Sequence, residues 1–514
     1  MQSRYDVCII GAGIAGALVA AACTRKGKTV LIIEAGGRFD RAKRFEQLER
    51  YLAAGPAWKW DHSGRDSYTD TTPAFRYDLN STRVKAVGGS TLHWGGTSQR
   101  LHPTDFETLT RYGVGADWPI SYKEIEPYYV RAERELGVSG DSSAHAALRS
   151  AGYPMPEFPD SFSDGVWRRA AARIGASVEK VPYAKNSKPY AGRPACAAFS
   201  TCHVCPIGAQ YSADVHIAEA EASGRCTVMT RTVARRIETD SRGRARAVHA
   251  TDLDMKEHSI VADHFVIAAH AVESARLLLL SDVGVSSGHV GRWLMEHFYV
   301  RGEARVPERF YPGRIGFETL QCASFYDGDE RRERGGIKLE LGHGMDPLVA
   351  PQSQKLWGKR LAEFDDRNFS HLVGVSAETE HLPHWESRVA LDPTVKDGFG
   401  DPVPRIHFHL GAFEAGTRAR AVQVIARLLE AANGSDIVTD ATPNWAAHHL
   451  GTCRMAADPD KGVVDRNLKV FGTTNLYAAG SGAFPTGGAL QPTLTIAALA
   501  LRLADTLTGL KAVD

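Results

Sequence analysis

The positions from Tyr5 to Ile10 are apolar but for Asp6, a run that predicts a short buried strand. It leads straight into Gly11-Ala-Gly13-Ile14-Ala15-Gly16, and the alanine-rich stretch from Ala17 to Lys26 that follows predicts a helix. A second apolar run, Thr29 to Ile33, ends on Glu34. Strand, glycine turn, helix, strand and acid in this order form a dinucleotide-binding βαβ unit. Gly11 permits the turn, Gly13 lets backbone approach a pyrophosphate at the helix N-terminus, Gly16 lets helix and strand pack, and Glu34 receives ribose hydroxyls. An acid at position 34 argues against a 2′-phosphate, but the unit does not choose between NAD and FAD.

The pattern then changes character. Gly36 to Asp78 is charged and aromatic without clean periodicity and predicts loops and short helices. Asp105 to Ser142 contains acid-rich helical patterns. Cys226 to Ile237 and Ala245 to Thr251 alternate as strands about a turn at Asp240-Ser-Arg-Gly243, and His264 to Ser281 repeats the strand-to-helix form, extending the first sheet. From Val300 to Thr439 the apolar alternations are short. Ile337 to Leu341, Arg388 to Asp392 and Ile406 to Leu410 predict strands of an antiparallel sheet able to cover a ligand, and Gly416 to Ala432 a helix with an arginine-rich outer face. This is the candidate substrate domain.

Three further stretches carry chemistry. Lys85 to Thr97 holds Gly88, Gly89, Gly95 and Gly96 around Ser90, Thr91, His93 and Trp94, so backbone can pass close to a flat ligand. A plain glycine-rich surface loop would look the same. Near the C-terminus His448-His449-Leu-Gly451-Thr452-Cys453 is answered by Phe484-Pro485-Thr486 and by Gln491-Pro492-Thr493, two hydrogen-bonding groups able to share one reaction centre. Cys196, Cys202 and Cys205 have the spacing C-x5-C-x2-C-P, which would let three thiolates face one iron–sulfur cluster, with three irons rather than four. The alternatives are a thiol cluster without metal, a zinc site including His203, or one disulfide.

At 514 residues the chain exceeds one ordinary core. Lys plus Arg at 61 against Asp plus Glu at 60 gives a net charge of +1, so no global field recruits nucleic acid or an anionic membrane. No apolar run reaches the roughly 18 residues of a membrane span. Structured sequence begins at Tyr5, so no signal peptide is expected and the protein reads as cytoplasmic.

Taken in order, the N-terminal fingerprint, Gly88-Gly89 to Trp94, Ala268 to Ser281, Gly291-Arg-Trp-Leu-Met-Glu-His297, His448 to Cys453, Gly462 to Gly472 and the final Phe484-Pro-Thr helix resemble the glucose-methanol-choline (GMC) family of FAD-dependent oxidoreductases over nearly the whole chain. Leu92-His93-Trp94 and Ala489 to Thr495 resemble the pyranose oxidases and bacterial fructose, glucose and glycoside dehydrogenases. The cysteine run and Glu386 to Ile406 resemble the dehydrogenases in particular.

The resemblance implies an α/β protein, α+β overall. Its Rossmann-like FAD-binding domain is assembled from separate segments, 1–105, 206–298 and 441–514. Residues 106–205 form a cap segment with the cysteine-rich loop, and 299–440 a substrate domain with a mostly antiparallel sheet. It implies FAD held by Ile14, Ala15, Ala35, Ala234, Ala269, Gly480, Ser481, Pro492 and Thr493 beside the glycine motifs, with His93 where pyranose oxidases bind the flavin covalently. It assigns His448 as catalytic base, with His449 structural, and gives Gln491 the place where relatives carry asparagine or histidine. The implied reaction is oxidation of a sugar or glycoside hydroxyl at C2 or C3, with oxygen, a quinone or an electron-transfer subunit as acceptor. A [3Fe-4S] cluster would favour the last two. A flavin-binding redox sensor without catalysis is the reading of another class.

Overall fold

The computed structural model describes residues 4–54, 67–198, 202, 204–310, 318–342 and 355–510. His203, the alternative zinc ligand, lies outside the described residues. Strand Tyr5–Ile10 sits inside a seven-stranded sheet, parallel to Val30–Ile33 on one side and to Glu257–Ile267 on the other. Cys226–Met229 extends the parallel part beyond Val30–Ile33, and Leu476–Ala478 pairs with the end of Glu257–Ile267, Leu476 opposite Phe265. These strands read as unbroken apolar runs because helices Ile14–Arg25, His270–Ser281 and Thr493–Thr508 join them in one core.

The stretch predicted as one strand from Cys226 to Ile237 is two. The chain turns at Arg231, which has φ of 54°. The second piece, Thr232–Thr239, leaves the parallel sheet to form an antiparallel meander with Ala245–Asp252 and the start of Glu257–Ile267.

The second sheet has six strands in the order Ser435–Trp445, Phe298–Arg305, Leu372–Thr379, Ile337–Gly342, Glu318–Phe325 and Glu179–Lys180, antiparallel throughout. Ile337, Leu339 and Leu341 face a core shared with Val424, Ile425 and Leu428 of helix Ala412–Ala431. The alternate positions Lys338 and Glu340 face the other way. Arg388–Lys396 and Pro402–His407 do not join this sheet, as the sequence suggested. They pair with Thr69–Asp70 in a separate three-stranded sheet.

Arg331 ties the substrate side to the loop before the last helix. Its side chain, 1% exposed, donates to both oxygens of Glu380 at 2.7 and 2.9 Å and to Asp105 Oδ1 at 2.6 Å. Asp105 Oδ2 accepts from Tyr326 Oη, which in turn accepts from the Ala489 N–H. Among the described residues no helix is long and apolar enough to cross a membrane.

Candidate functional site

A cavity of about 800 Å³ lies between the parallel sheet and the polar face of the six-stranded sheet. At one end Gly11, with φ of 104°, runs so close to the strand Glu257–Ile267 that a Cβ there would stand 2.4 Å from the Ala268 carbonyl oxygen. Gly13 opens helix Ile14–Arg25, and nothing lies within 4 Å of where its Cβ would be. Gly89 packs over it, a Cβ on Gly89 falling 2.9 Å from Gly13 Cα, so the glycine loop is laid across the helix N-terminus. Glu34 accepts from the N–H groups of Ala12 and Gly36, both at 2.8 Å, leaving one lone pair on each oxygen. Burial pushes its pKa up against those two donors and Lys85. A bare glycine corridor at a helix N-terminus, ending on a buried carboxylate with spare acceptor sites, fits the pyrophosphate and ribose of FAD.

The cavity gathers Gly11, Gly13, Ile14, Ala15, Glu34 and Ala35 with Gly89, Ser90, His93, Trp94, Gly95 and Gly96, and from elsewhere in the chain Ala234, Ala269, Gly480, Ser481, Pro492 and Thr493. Two residues expected at the cofactor are not on its wall. Gly16 serves packing, since a Cβ there would meet the Gly11 carbonyl oxygen at 2.1 Å. Gly88, with φ of 106°, makes the loop's turn and donates its N–H to the Ala12 carbonyl.

His448 and Gln491 line the other end. His448 is positioned by a strand pair that the sequence left unread. Phe298 pairs with Trp445, Ala446 donates to the His297 carbonyl, and Leu450 and Met295 exchange hydrogen bonds, so residues 447–449 bulge out between two fixed points. The bulge is left-handed at Ala447, φ 67°, and ends on Gly451, whose Cβ would strike the Trp293 carbonyl oxygen at 2.0 Å. One oxygen of buried Glu296 accepts the N–H groups of His448 at 2.6 Å and His297 at 2.9 Å, and the other accepts from Tyr77 at 2.6 Å. Burial raises Glu296 to about 7 against these donors. His448 Nδ1 meets His297 Nδ1 at 3.0 Å, which directs Nε2 away from that contact. Burial, helped by Lys338, lowers His448 to about 3, so its imidazole is neutral near pH 7. His449 also touches the cavity, but both its ring nitrogens are engaged, with Tyr77 at 2.6 Å and His270 at 3.0 Å.

Between the two ends stands a polar wall. Lys338 contacts Glu340 and Glu378, each at 2.7 Å. Gln491 Nε2 donates to Glu340 Oε1 at 2.9 Å and Glu378 Oε1 at 3.0 Å, and Tyr299 donates to the same Glu378 oxygen. Glu378 Oε1 lies 3.7 Å from His448 Nδ1, so one carboxylate joins the two motifs. Burial alone would lower Lys338, but Glu340 and Glu378 hold it above its ordinary value.

The cysteine loop lies beside the flavin end. Lys185 Nζ donates to Cys202 Sγ at 2.9 Å, and Gln210 Nε2 bridges the Trp94 carbonyl and the Cys202 carbonyl. No disulfide joins any two cysteines among the described residues.

The family model for GMC oxidoreductases matches in two parts, residues 9–299 and 383–500. The fructose dehydrogenase large subunit of Gluconobacter japonicus is 33% identical over 97% of this chain and 97% of its own. Paromamine 6′-oxidase of Streptomyces fradiae is 30% identical over 98% of this chain and 91% of its own. Among solved structures, formate oxidase superposes with a TM-score of 0.72 at 17% identity, covering 99% of this chain and 98% of that one, a likeness of fold. A family match in two parts that together span most of the chain, and a relative aligned nearly end to end, agree with the cradle: the chain belongs to the GMC oxidoreductase family.

Proposed function

We propose that the protein oxidises a secondary hydroxyl of a sugar or glycoside, at C2 or C3, to a keto-sugar. The observation that carries this reading is that His448 and Gln491, linked through Glu378, face the same cavity that holds the FAD cradle at its far end. FAD bound there supplies the hydride acceptor at its N5. His448 acts as general base: in the tautomer whose Nδ1–H donates to His297, Nε2 offers its lone pair to the substrate hydroxyl, and burial keeps the ring neutral before substrate arrives. Gln491 spends its amide nitrogen on two carboxylates, so it meets the substrate as an acceptor through Oε1. His93, on the cavity wall, is the candidate for covalent attachment. The names of the fructose dehydrogenase and paromamine oxidase relatives support a sugar as substrate.

The test is anaerobic stopped-flow flavin reduction across free monosaccharides, O-glycosides and C-glycosides. His448→Ala is expected to slow the reductive step by about a hundred- to ten-thousand-fold. Reduction at the wild-type rate would refute the assignment.

A second reading concerns the acceptor, which on the first is oxygen or a quinone. Cys196, Cys202 and Cys205 would hold a [3Fe-4S] cluster able to pass single electrons to a quinone or a partner subunit. It is favoured by an all-sulfur donor set, by the Lys185 ammonium against Cys202, and by the single-residue bridge of Gln210 to Trp94. Iron and acid-labile sulfide in anaerobically purified protein are expected on this reading, and zero iron would remove it.

A further inference from the structure

The substrate wall is unbalanced in charge and in hydrogen bonding. Glu318 and Glu340 line it, Glu378 is buried beside Gln491, and against these three carboxylates one ammonium is in contact, Lys338. Lys338 reaches only Glu340 and Glu378. Glu318 is 5% exposed, lines the cavity, and has no ion pair or side-chain hydrogen bond among the described residues. Two other cations are near. Lys185 donates to Cys202 and acts on Glu318 at longer range, and Arg301, on the rim of the same cavity, is exposed to solvent and forms no ion pair with these carboxylates. With every group ionised, contact pairing leaves two negative charges uncompensated. Burial and mutual repulsion accordingly raise both Glu318 and Glu340.

A second observation lies beside these carboxylates. Gln491 is 8% exposed, lines the same cavity, and its Oε1 is buried without a partner. Its orientation is fixed, because a flipped amide would press its carbonyl oxygen against both Glu340 and Glu378. A buried acceptor left unmet costs about 1–3 kcal/mol, so its partner is a donor that arrives with the ligand. Glu318 and Glu340 make the same demand. A neutral polyol brings donors but no charge; a protonated primary amine brings three N–H donors and the missing positive charge.

We propose that this wall recognises an amino sugar, its ammonium group set against Glu318 and Glu340 with Gln491 Oε1 as a further acceptor. The inference rests on the cavity being the sugar-oxidising site and names the class of sugar it favours. Glu318 is then the specificity-determining residue.

The test reads binding apart from turnover. FAD-loaded His448→Ala protein is titrated at pH 7 with D-glucosamine, 3-amino-3-deoxy-D-glucose and 6-amino-6-deoxy-D-glucose, against D-glucose and N-acetyl-D-glucosamine, following the flavin difference spectrum. At least one amine is expected to bind tenfold or more tightly than both neutral sugars, and the ratio to fall below threefold when Glu318→Gln or Glu340→Gln is added. Amines that all bind within threefold of the neutral sugars overturn the proposal, as does a preference that survives both substitutions. Anaerobic bleaching of wild-type flavin is scored separately. Bleaching by neutral sugars without any amine preference sinks this inference and leaves sugar oxidation standing; amine preference without bleaching by any sugar does the reverse.

Discussion

Replacing Gln491 by glutamate keeps the shape of the side chain and reverses what it offers. In the structure the amide nitrogen donates to Glu340 Oε1 at 2.9 Å and to Glu378 Oε1 at 3.0 Å. Hydrogen bonds to charged groups contribute about 1.5–3 kcal/mol each. An ionised carboxylate in the amide's place would set two like-charge contacts at this spacing, each repulsive by about 5 kcal/mol at an effective dielectric near 20. At about 1.4 kcal/mol per pKa unit, that repulsion drives the new carboxyl to take up a proton at neutral pH. The proton restores one of the two bonds, so Gln491→Glu is expected to cost about 1.5–3 kcal/mol at pH 6. The sign with pH follows. Between the ordinary glutamate pKa and the raised folded one, the folded state binds one proton more than the unfolded state, so the variant loses stability as pH rises. The loss relative to wild type is about 1.4 kcal/mol per unit, or close to 3 kcal/mol from pH 6 to pH 8. Urea denaturation of the holoenzyme followed by tryptophan fluorescence at both pH values measures this. A variant within about 0.5 kcal/mol of wild type, with a parallel pH profile, would show that the amide nitrogen does not face the two carboxylates.

Arg331→Met strips the shared cation from buried Asp105 and Glu380, and a loss of about 3–5 kcal/mol is expected in the same denaturation assay; a change under 1 kcal/mol would contradict the clamp. His297, His381, His448 and His449 are all held neutral by burial, so the unfolded chain takes up protons below about pH 6.5 that the folded chain does not. Glu296, raised to about 7, and Glu318, raised to about 8, each oppose with one proton, and burial shifts Glu34 and Glu340 the same way. The net of at most about two protons predicts stability falling by up to about 3 kcal/mol per pH unit as the solution is acidified below pH 6, and unfolding midpoints that rise from pH 7 to 5 would refute it. If His93 carries the flavin, acid precipitation leaves a yellow wild-type pellet and a colourless His93→Ala pellet; a colourless wild-type pellet excludes the bond.

The dinucleotide unit is legible in the chain because each of its residues answers a local demand of the backbone. Gly11 and Gly16 each stand where a Cβ would strike a carbonyl, and Glu34 ends the second strand where its oxygens reach Ala12 and Gly36. The substrate wall hides for the opposite reason. Lys338 and Glu340 alternate with Ile337, Leu339 and Leu341, the pattern of a strand with one face in water, whereas both faces are covered, one by helix Ala412–Ala431 and the other by the cavity. Alternation reports which residues share a face, not what lies beyond it. Strand partners are equally silent. The hydrogen bonds between Pro402–His407 and Thr69–Asp70 join positions more than 300 residues apart, and nothing local distinguishes them from pairing with the six-stranded sheet. Glu296 is an unremarked acid in Leu294-Met-Glu-His297 until the fold sets it under two histidine N–H groups.

The parallel sheet takes Leu476–Ala478 as the neighbour of Glu257–Ile267, and helix Thr493–Thr508 packs on Ile14–Arg25. The chain's first βαβ unit therefore leaves the ribosome long before its last supports exist. At about 5–20 residues per second, the intervening 470 or so residues take on the order of half a minute to a minute and a half to synthesise. During that time the nascent chain carries the glycine turn without the Gly480-Ser481 bend or the Pro492-Thr493 helix start that complete the cavity. The cavity is therefore complete only once residues up to Thr493 have emerged, and a chain truncated before Gly480 would keep an intact fingerprint while lacking the far wall of the cofactor cradle.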